Sequence, residues 1–213
     1  MPGKPLFSNI SRTLLLVLLV VTLVRIDKLA ASDEPKPGFY ADFLAQLDQA
    51  QKQVLSLEGA VPQEKFTWRP AEGVRSISEV YLHIVDGNYL LMSIAGAKPP
   101  VDMKVLMDQK AREGATTDKA KIADALKASY EWAKKAVASM SDADLEKMVD
   151  FFGRKITVRN ALITVLNHNH EHLGQSIAYA RMNGVVPPWT AEMQSRIQSQ
   201  MKKDQEKAGQ KKD

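Results

Sequence analysis

The chain has 213 residues, of which 45% are hydrophobic and 25% are charged, a profile typical of one folded globular domain with an additional segment. It contains no cysteine, which excludes disulfides, zinc fingers and thiol redox motifs, so any transition-metal site must use nitrogen and oxygen ligands. The net charge of +4 lies at the two ends, because residues 1–31 and 195–213 hold ten of the 29 basic but only four of the 25 acidic side chains. The remaining 19 basic and 21 acidic residues make the middle of the chain slightly acidic, so we expect no nucleic-acid partner.

The first 31 residues have the parts of a secretory signal peptide. Lys4 and Arg12 precede an apolar run at 14–24, and small residues follow at 30–32. This pattern predicts export to the periplasm or the cell exterior. The run is short for a membrane span, but three charged residues lie between it and the predicted cleavage site. An uncleaved N-terminal segment that anchors the protein to the membrane through residues 14–24 is therefore the alternative.

Four long amphipathic helices are predicted after a polar linker at 32–38. Each has apolar residues at helical spacing, and two have clear start signals, a capping box at Ser76 and Glu79 and a capping threonine at Thr157. The first predicted helix begins at 39 and ends at the Gly59 stop signal, and the second covers 77–95. The third begins after 117 and ends at about 139, and the fourth runs from 158 to about 183. These elements predict an all-α fold, a four-helix bundle over residues 39–190.

The connections carry weaker signals. Prolines exclude regular helix from 60–75, and residues 97–117 form a long connection with a short helix around 103–112. Residues 151–156 are typical of a tight loop or a small hairpin around Gly153. No other stretch has a strand pattern. We expect the polar residues 191–213 to form a flexible tail, either a frayed helix or disordered.

The fourth predicted helix contains three of the four histidines, all on one five-residue stretch. His168 and His172 are four residues apart and project side by side, so that two imidazole nitrogens can reach one metal ion, whereas His170 points elsewhere. Helical projection places the pair well away from the middle of the leucine and isoleucine stripe. The pair therefore either lines an open cleft or is exposed and without a role.

His83 lies on the apolar stripe of the second predicted helix. A buried imidazole needs hydrogen-bond partners for its two nitrogens. One interpretation is a core histidine bonded to a carbonyl group or to Asp86, and the other is a ligand in a functional site.

Two stretches resemble the signatures of a known family. Residues 66–91 contain Trp68-Arg69-Pro70, Gly73, Ser76, Glu79 and His83, and residues 167–188 contain His168, His172-Leu173-Gly174-Gln175, Arg181, Gly184 and Pro187-Pro188. Together they are similar to the DinB/YfiT-like metalloenzymes, which are four-helix bundles, commonly dimeric. That resemblance implies a homodimer and a divalent metal ion held by His83, His168 and His172. Zn²⁺ or Ni²⁺ suits such imidazole ligands, with Mn²⁺ and Fe²⁺ as alternatives.

Two polar residues follow the implied ligands at helical spacing. Asp86 is three residues after His83, and Gln175 is three residues after His172, so each can orient its histidine or contact a substrate. The alternative for both is an ordinary polar helix residue.

Two further residues are candidates for the site. Glu171 is a candidate general base, but its rotation from His168 favours a solvated surface position. Trp68 either walls a pocket or anchors the end of the bundle. The resemblance implies a metal-dependent hydrolase or group-transfer enzyme acting on a small molecule. The alternatives are a non-catalytic bundle that binds a metal or small ligand, and a structural dimeric bundle with an incidental histidine pair.

Overall fold

The computed structural model describes residues 38–210. The predicted signal segment at 1–31, its apolar run at 14–24 and the linker up to residue 37 lie outside the described residues. Within residues 38–210, none of the helices combines the length and the apolar character that a membrane span requires.

The described residues form seven helices and one β-hairpin. The elements in chain order are α1 (Phe39–Ala60), α2 (Ile77–Ile94), α3 (Met103–Met107), α4 (Gln109–Glu113), α5 (Lys119–Ala138), β1 (Met148–Phe151), β2 (Arg154–Thr157), α6 (Val158–Met182) and α7 (Pro188–Gln210). Two short 3₁₀ turns, Gln63–Lys65 and Asp142–Glu146, lie in the connections.

Four of the five long helices, α1, α2, α5 and α6, pack as a helical bundle. Helices α1 and α2 each contact both α5 and α6, and the apolar stripes of all four meet in one core. The largest fully buried side chains include Phe43, Leu47, Ile84, Leu126 and Leu162. The four predicted helices are confirmed, with ends that differ by only one or two residues from the predicted ones.

The predicted start signals of two helices are present as hydrogen bonds. The Ser76 hydroxyl accepts from the backbone N–H of Glu79, and the Glu79 carboxylate accepts from the backbone N–H of Ser76. Thr157 caps α6 by accepting from the backbone N–H of Asn160. Because these caps satisfy N–H groups that a helix leaves unpaired, they fix where the two histidine-bearing helices begin.

The stretch predicted as a loop or small hairpin is a hairpin. Strands β1 and β2 pair antiparallel with Phe151 opposite Arg154, which leaves Phe152 and Gly153 as a two-residue turn. Both turn residues have positive φ, 52° and 84°, as in a type I′ turn, whose twist matches that of the strands. The fold is thus helical apart from this one hairpin in the described part of the chain.

The predicted tail begins within the last helix. Helix α7 extends from Pro188 to Gln210, and Trp189 in its first turn packs against the core. All the side chains at 191–205 are exposed, in keeping with their polar sequence. The flexibility of the tail at 191–213 stays a prediction.

The long connection between α2 and α5 covers one side of α2. It contains two short helices where one was predicted, because Asp102 and Asp108 each cap a separate start. Both α3 and α4 pack on α2, on the side that carries His83. This connection therefore builds part of the site described next.

Candidate metal centre

Three histidines from two helices converge at one point of the bundle. Each of His83 on α2 and His168 and His172 on α6 offers a ring nitrogen, and the three nitrogens lie within 4.8 Å of one another. The Nε2 atoms of His83 and His168 are 3.1 Å apart. Two nitrogens that share one Zn²⁺ ion at 2.0–2.1 Å are expected about 3.0–3.4 Å apart, so this spacing suits a common ion.

A carboxylate from the connection orients His83. Glu113 Oε1 lies 2.7 Å from His83 Nδ1 and also accepts from the side-chain amide of Gln109, while its Oε2 accepts from Arg75 Nε at 2.8 Å. Gln109 Nε2 is within 2.8 Å of the same ring nitrogen, but both groups are donors when His83 carries its proton on Nδ1. We assign that tautomer because the carboxylate needs a donor. It leaves Nε2 with a free lone pair for a metal.

Burial and neighbouring charges keep His83 and His168 neutral and Glu113 ionised. Burial lowers the pKa of His168 to about 3, and the neighbouring imidazoles act in the same direction. Burial and the Arg75 guanidinium also lower the pKa of His83, against the opposing effect of Glu113. For Glu113, burial raises the pKa, but the hydrogen bonds from Arg75 and Gln109 outweigh it and hold the pKa below its usual value. Neutral imidazoles beside an ionised carboxylate are the states that metal binding needs.

His172, the second converging histidine of α6, is held by a chain of side chains. Gln175 Oε1 lies 2.9 Å from His172 Nδ1, and Gln175 Nε2 donates to the Tyr179 hydroxyl at 2.9 Å. The Tyr179 ring contacts Trp68 edge to face at 5.4 Å. Gln175 therefore fixes the proton of His172 on Nδ1 and leaves its Nε2 with a free lone pair, in a ring whose centroid is 4.4 Å from that of His83 and 4.5 Å from that of His168.

The third imidazole depends on a glycine. The His168 ring lies so close to α2 that a Cβ on Gly87 would be 2.0 Å from its Cε1 atom. His168 Nδ1 is buried and finds no hydrogen-bond partner among the described residues. A buried ring nitrogen without a partner is costly, and a cation bound at Nε2 would offset part of that cost by giving the ring a strong interaction.

A fully buried polar ladder fixes α2 and α6 beside these residues. Asn169 Nδ2 donates to Asn88 Oδ1 at 2.8 Å, and Asn169 Oδ1 accepts from the Tyr130 hydroxyl at 2.6 Å. Asn88 in turn donates to Ser129 on α5. Because Asn88 follows Gly87 and Asn169 follows His168, this ladder sets the register of the two helices at the site.

A cavity of about 330 Å³ opens beside the histidines. Its wall includes His83, His168, Asp86 and Gln109, together with Leu90, Leu91, Leu106, Met107 and Phe152. A mostly apolar cavity with a few polar groups is typical of a small-molecule site.

The other predicted site residues fall into different positions. Asp86 lines the cavity, but its Oδ1 accepts from Arg112 at 2.6 Å, so the interpretation that Asp86 is the partner of His83 is wrong. Burial raises the Asp86 pKa against the opposing effect of Arg112. Glu171 is exposed, and His170 is exposed with its Nδ1 near the Leu166 carbonyl, so neither lies with the three converging rings.

Sequence reasoning missed Glu113, Gln109 and the role of Gly87. Glu113 is 30 residues from His83, in a connection without periodicity, and nothing local links the two. The residues present suit a divalent cation, because three imidazoles converge as a nitrogen donor set. Glu113 and Gln175 orient the tautomers of two of them, and the third has a buried nitrogen that lacks a partner.

Comparison with known proteins identifies the family of the chain. The family model of the DinB superfamily matches residues 46–176 of the chain, which include all three histidines. No curated protein matches the chain.

Solved structures share the fold. A DinB-like protein from Bacillus cereus ATCC 10987 is 24% identical, with a TM-score of 0.60 over 68% of this chain and 93% of that one. YfiT from Bacillus subtilis, described as a probable metal-dependent hydrolase with an unusual four-helix bundle topology, is 15% identical, with a TM-score of 0.55 over 71% and 94%. A mycothiol-dependent maleylpyruvate isomerase is 16% identical, with a TM-score of 0.51 over 62% and 58%. The chain belongs to the DinB superfamily.

Proposed function

We propose that this protein is a divalent-metal-dependent enzyme of hydrolase or group-transfer type that acts on a small molecule. The observation that carries the proposal is the convergence of His83, His168 and His172 beside a mostly apolar cavity, whose wall includes His83 and His168. The description of YfiT as a probable metal-dependent hydrolase supports the same class of reaction. Export directed by residues 1–31 and assembly as a homodimer belong to the proposal.

The proposed ligands are the Nε2 atoms of the three histidines. Three neutral imidazoles bring no negative charge, so a bound divalent ion would supply strong Lewis acidity to a substrate. Glu113 and Gln175 hold two of the rings by their Nδ1 protons, and Gly87 gives the third ring its space. Zn²⁺ or Ni²⁺ suits this donor set, with Mn²⁺ and Fe²⁺ as alternatives.

Elemental analysis of untagged protein tests the metal site. We expect about one divalent ion per chain and a loss of that ion in His168→Ala. His170→Ala is the matched control, because His170 is exposed on the same helix and outside the cluster. Metal-free wild-type protein, or equal metal content in the two variants, would leave a structural bundle.

An activity screen separates an enzyme from a binding protein. Metal-reconstituted protein should turn over at least one member of a panel of ester, amide and thiol-transfer substrates, and chelation should abolish that turnover. A protein that binds the ion in full but shows no metal-dependent turnover would instead favour the non-catalytic binding role.

A further inference from the structure

The cavity beside the histidines has an apolar wall assembled from three separate elements. Leu90 and Leu91 come from α2, Leu106 and Met107 from α3, and Phe152 from the hairpin turn. Side chains brought together from such distant parts of the chain enclose a volume of about 330 Å³, within the range of small-molecule sites.

Phe152 is held at this wall in an unfavourable conformation. Its φ is 52°, and no other residue apart from glycine has a positive φ in the described part of the chain. The first position of a type I′ turn favours asparagine, aspartate or glycine, because a side chain in the left-handed region crowds its own backbone. A phenylalanine there is thus a poor choice for the turn itself.

The ring of Phe152 is also poorly placed for the stability of the protein alone. It is 61% exposed, although a phenylalanine normally contributes to folding through burial. Phe151 contacts the Phe152 ring edge to face at 4.9 Å, which limits its orientation. Turn strain and an exposed aromatic ring at the same residue, at the edge of a cavity, indicate a role in binding.

We propose that the cavity binds an apolar, ring-sized part of the substrate and that Phe152 is the residue that selects for it. This inference rests on the proposed function, because it names the class of substrate for the same site. The polar wall atoms of His83, His168 and Gln109 would face the reacting group, and the leucines, Met107 and Phe152 would cover the apolar part. Filling the cavity would remove apolar surface of the Phe152 ring from water.

The test measures binding of 2-naphthol to the full-length, metal-free protein by calorimetry. Phe152→Asn places the residue preferred by the turn and removes the ring. We expect it to raise Tm by about 2 °C and to weaken 2-naphthol binding about three- to ten-fold. Phe152→Trp keeps both ring and strain, so its affinity should stay within about two-fold of wild type.

Met148→Ala is the matched control, since Met148 is exposed on the same hairpin but outside this cavity. It should leave 2-naphthol binding unchanged. Wild-type protein that does not bind 2-naphthol, or Phe152→Asn that binds it as wild type does, would overturn the inference. So would a Phe152→Asn variant without a rise in Tm.

A parallel titration of Co²⁺-loaded protein with imidazole, followed by the visible spectrum of the ion, reports on the metal site separately. Absence of a Co²⁺ signal together with a 2-naphthol effect in Phe152→Asn would refute the proposed metal chemistry and support the apolar cavity. Normal imidazole binding to the Co²⁺-loaded protein, without a 2-naphthol effect in Phe152→Asn, would support the metal site and refute the apolar cavity.

Discussion

Replacing Gly87 by alanine should abolish metal binding while leaving the bundle folded. A Cβ at this position would lie 2.0 Å from Cε1, 2.5 Å from Nδ1 and 2.8 Å from Nε2 of His168. Ordinary carbon–carbon contacts are about 3.5 Å, so the ring must move by about 1.5 Å. Metal–nitrogen distances tolerate only about 0.2 Å, and His168 would therefore be lost as a ligand.

Gly87→Ala should change metal affinity far more than it changes stability. Removing a residue that only orients a metal-binding side chain costs about 10- to 100-fold in metal affinity, so losing one of the binding side chains should cost at least about 100-fold. Stability should change little, since alanine is favoured over glycine inside a helix by about 1 kcal/mol, which offsets the cost of turning the His168 ring. The ring lies at the end of a side chain with two rotatable bonds and can swing without moving α6.

Gly174→Ala provides a matched control for this experiment. Gly174 lies inside α6, two residues after His172, and a Cβ there would meet nothing within 4 Å. We expect Gly174→Ala to raise the free energy of unfolding by about 0.5–1 kcal/mol and to keep wild-type affinity. Affinity is measured by competition with a chromophoric chelator, and stability by urea denaturation. Equal metal affinity in the two alanine variants would refute the reasoning.

Three further predictions follow from other contacts of the site. Glu113→Ala should weaken metal binding about 10- to 100-fold in the chelator assay, whereas the exposed Glu171→Ala should not; equal affinities would remove Glu113 from the site. Asn169→Ala leaves buried hydroxyl and amide groups unpaired and should lower the free energy of urea unfolding by about 2–4 kcal/mol, against less than about 0.5 kcal/mol for the exposed Asn167→Ala; similar losses would contradict the role of the ladder. His168 has a folded pKa of about 3, below its ordinary 6.5, so the unfolded state binds more protons between these values and stability falls as pH falls. Metal-free protein should therefore lose up to about 2.5 kcal/mol through this group between about pH 7 and pH 4.5, and His168→Asn should show a flatter curve; parallel curves would refute the assignment.

The fold could be predicted largely because its signals are local. Periodic apolar residues and the caps at Ser76 and Thr157 determine helices wherever they occur in a chain, and the structure has all four within one or two residues of the predicted ends. The pairing of His168 with His172 is equally local, since it follows from a spacing of four. His83 is different, because its helical stripe predicted burial equally well for a core residue and for a ligand, and the family resemblance was needed to place it with the other two.

Residues that depend on tertiary packing could not be predicted from spacing. Asp86 is one turn from His83 and was a natural partner by helical geometry, but Glu113 reaches His83 from the connection, and Arg112 binds Asp86 instead. Gly87 has no signal of its own, since a glycine inside a helix usually only weakens it. Its importance arises from how closely α6 approaches α2, which is a property of the packed bundle.

The bundle and the connection between α2 and α5 supply different residues of the site, and this affects how the site can change. The rings of His168 and His172 project from a helix whose register is fixed by the buried Asn88–Asn169 pair, so they depend on the core. Several residues that orient His83 or close the cavity, Glu113 and Leu106 among them, come instead from α3 and α4, which pack mainly on α2. On the proposed function, substitutions in 103–113 would therefore alter the choice of ion or substrate while the four bundle helices keep their packing. The same changes within α2 or α6 would disturb core contacts and cost stability first.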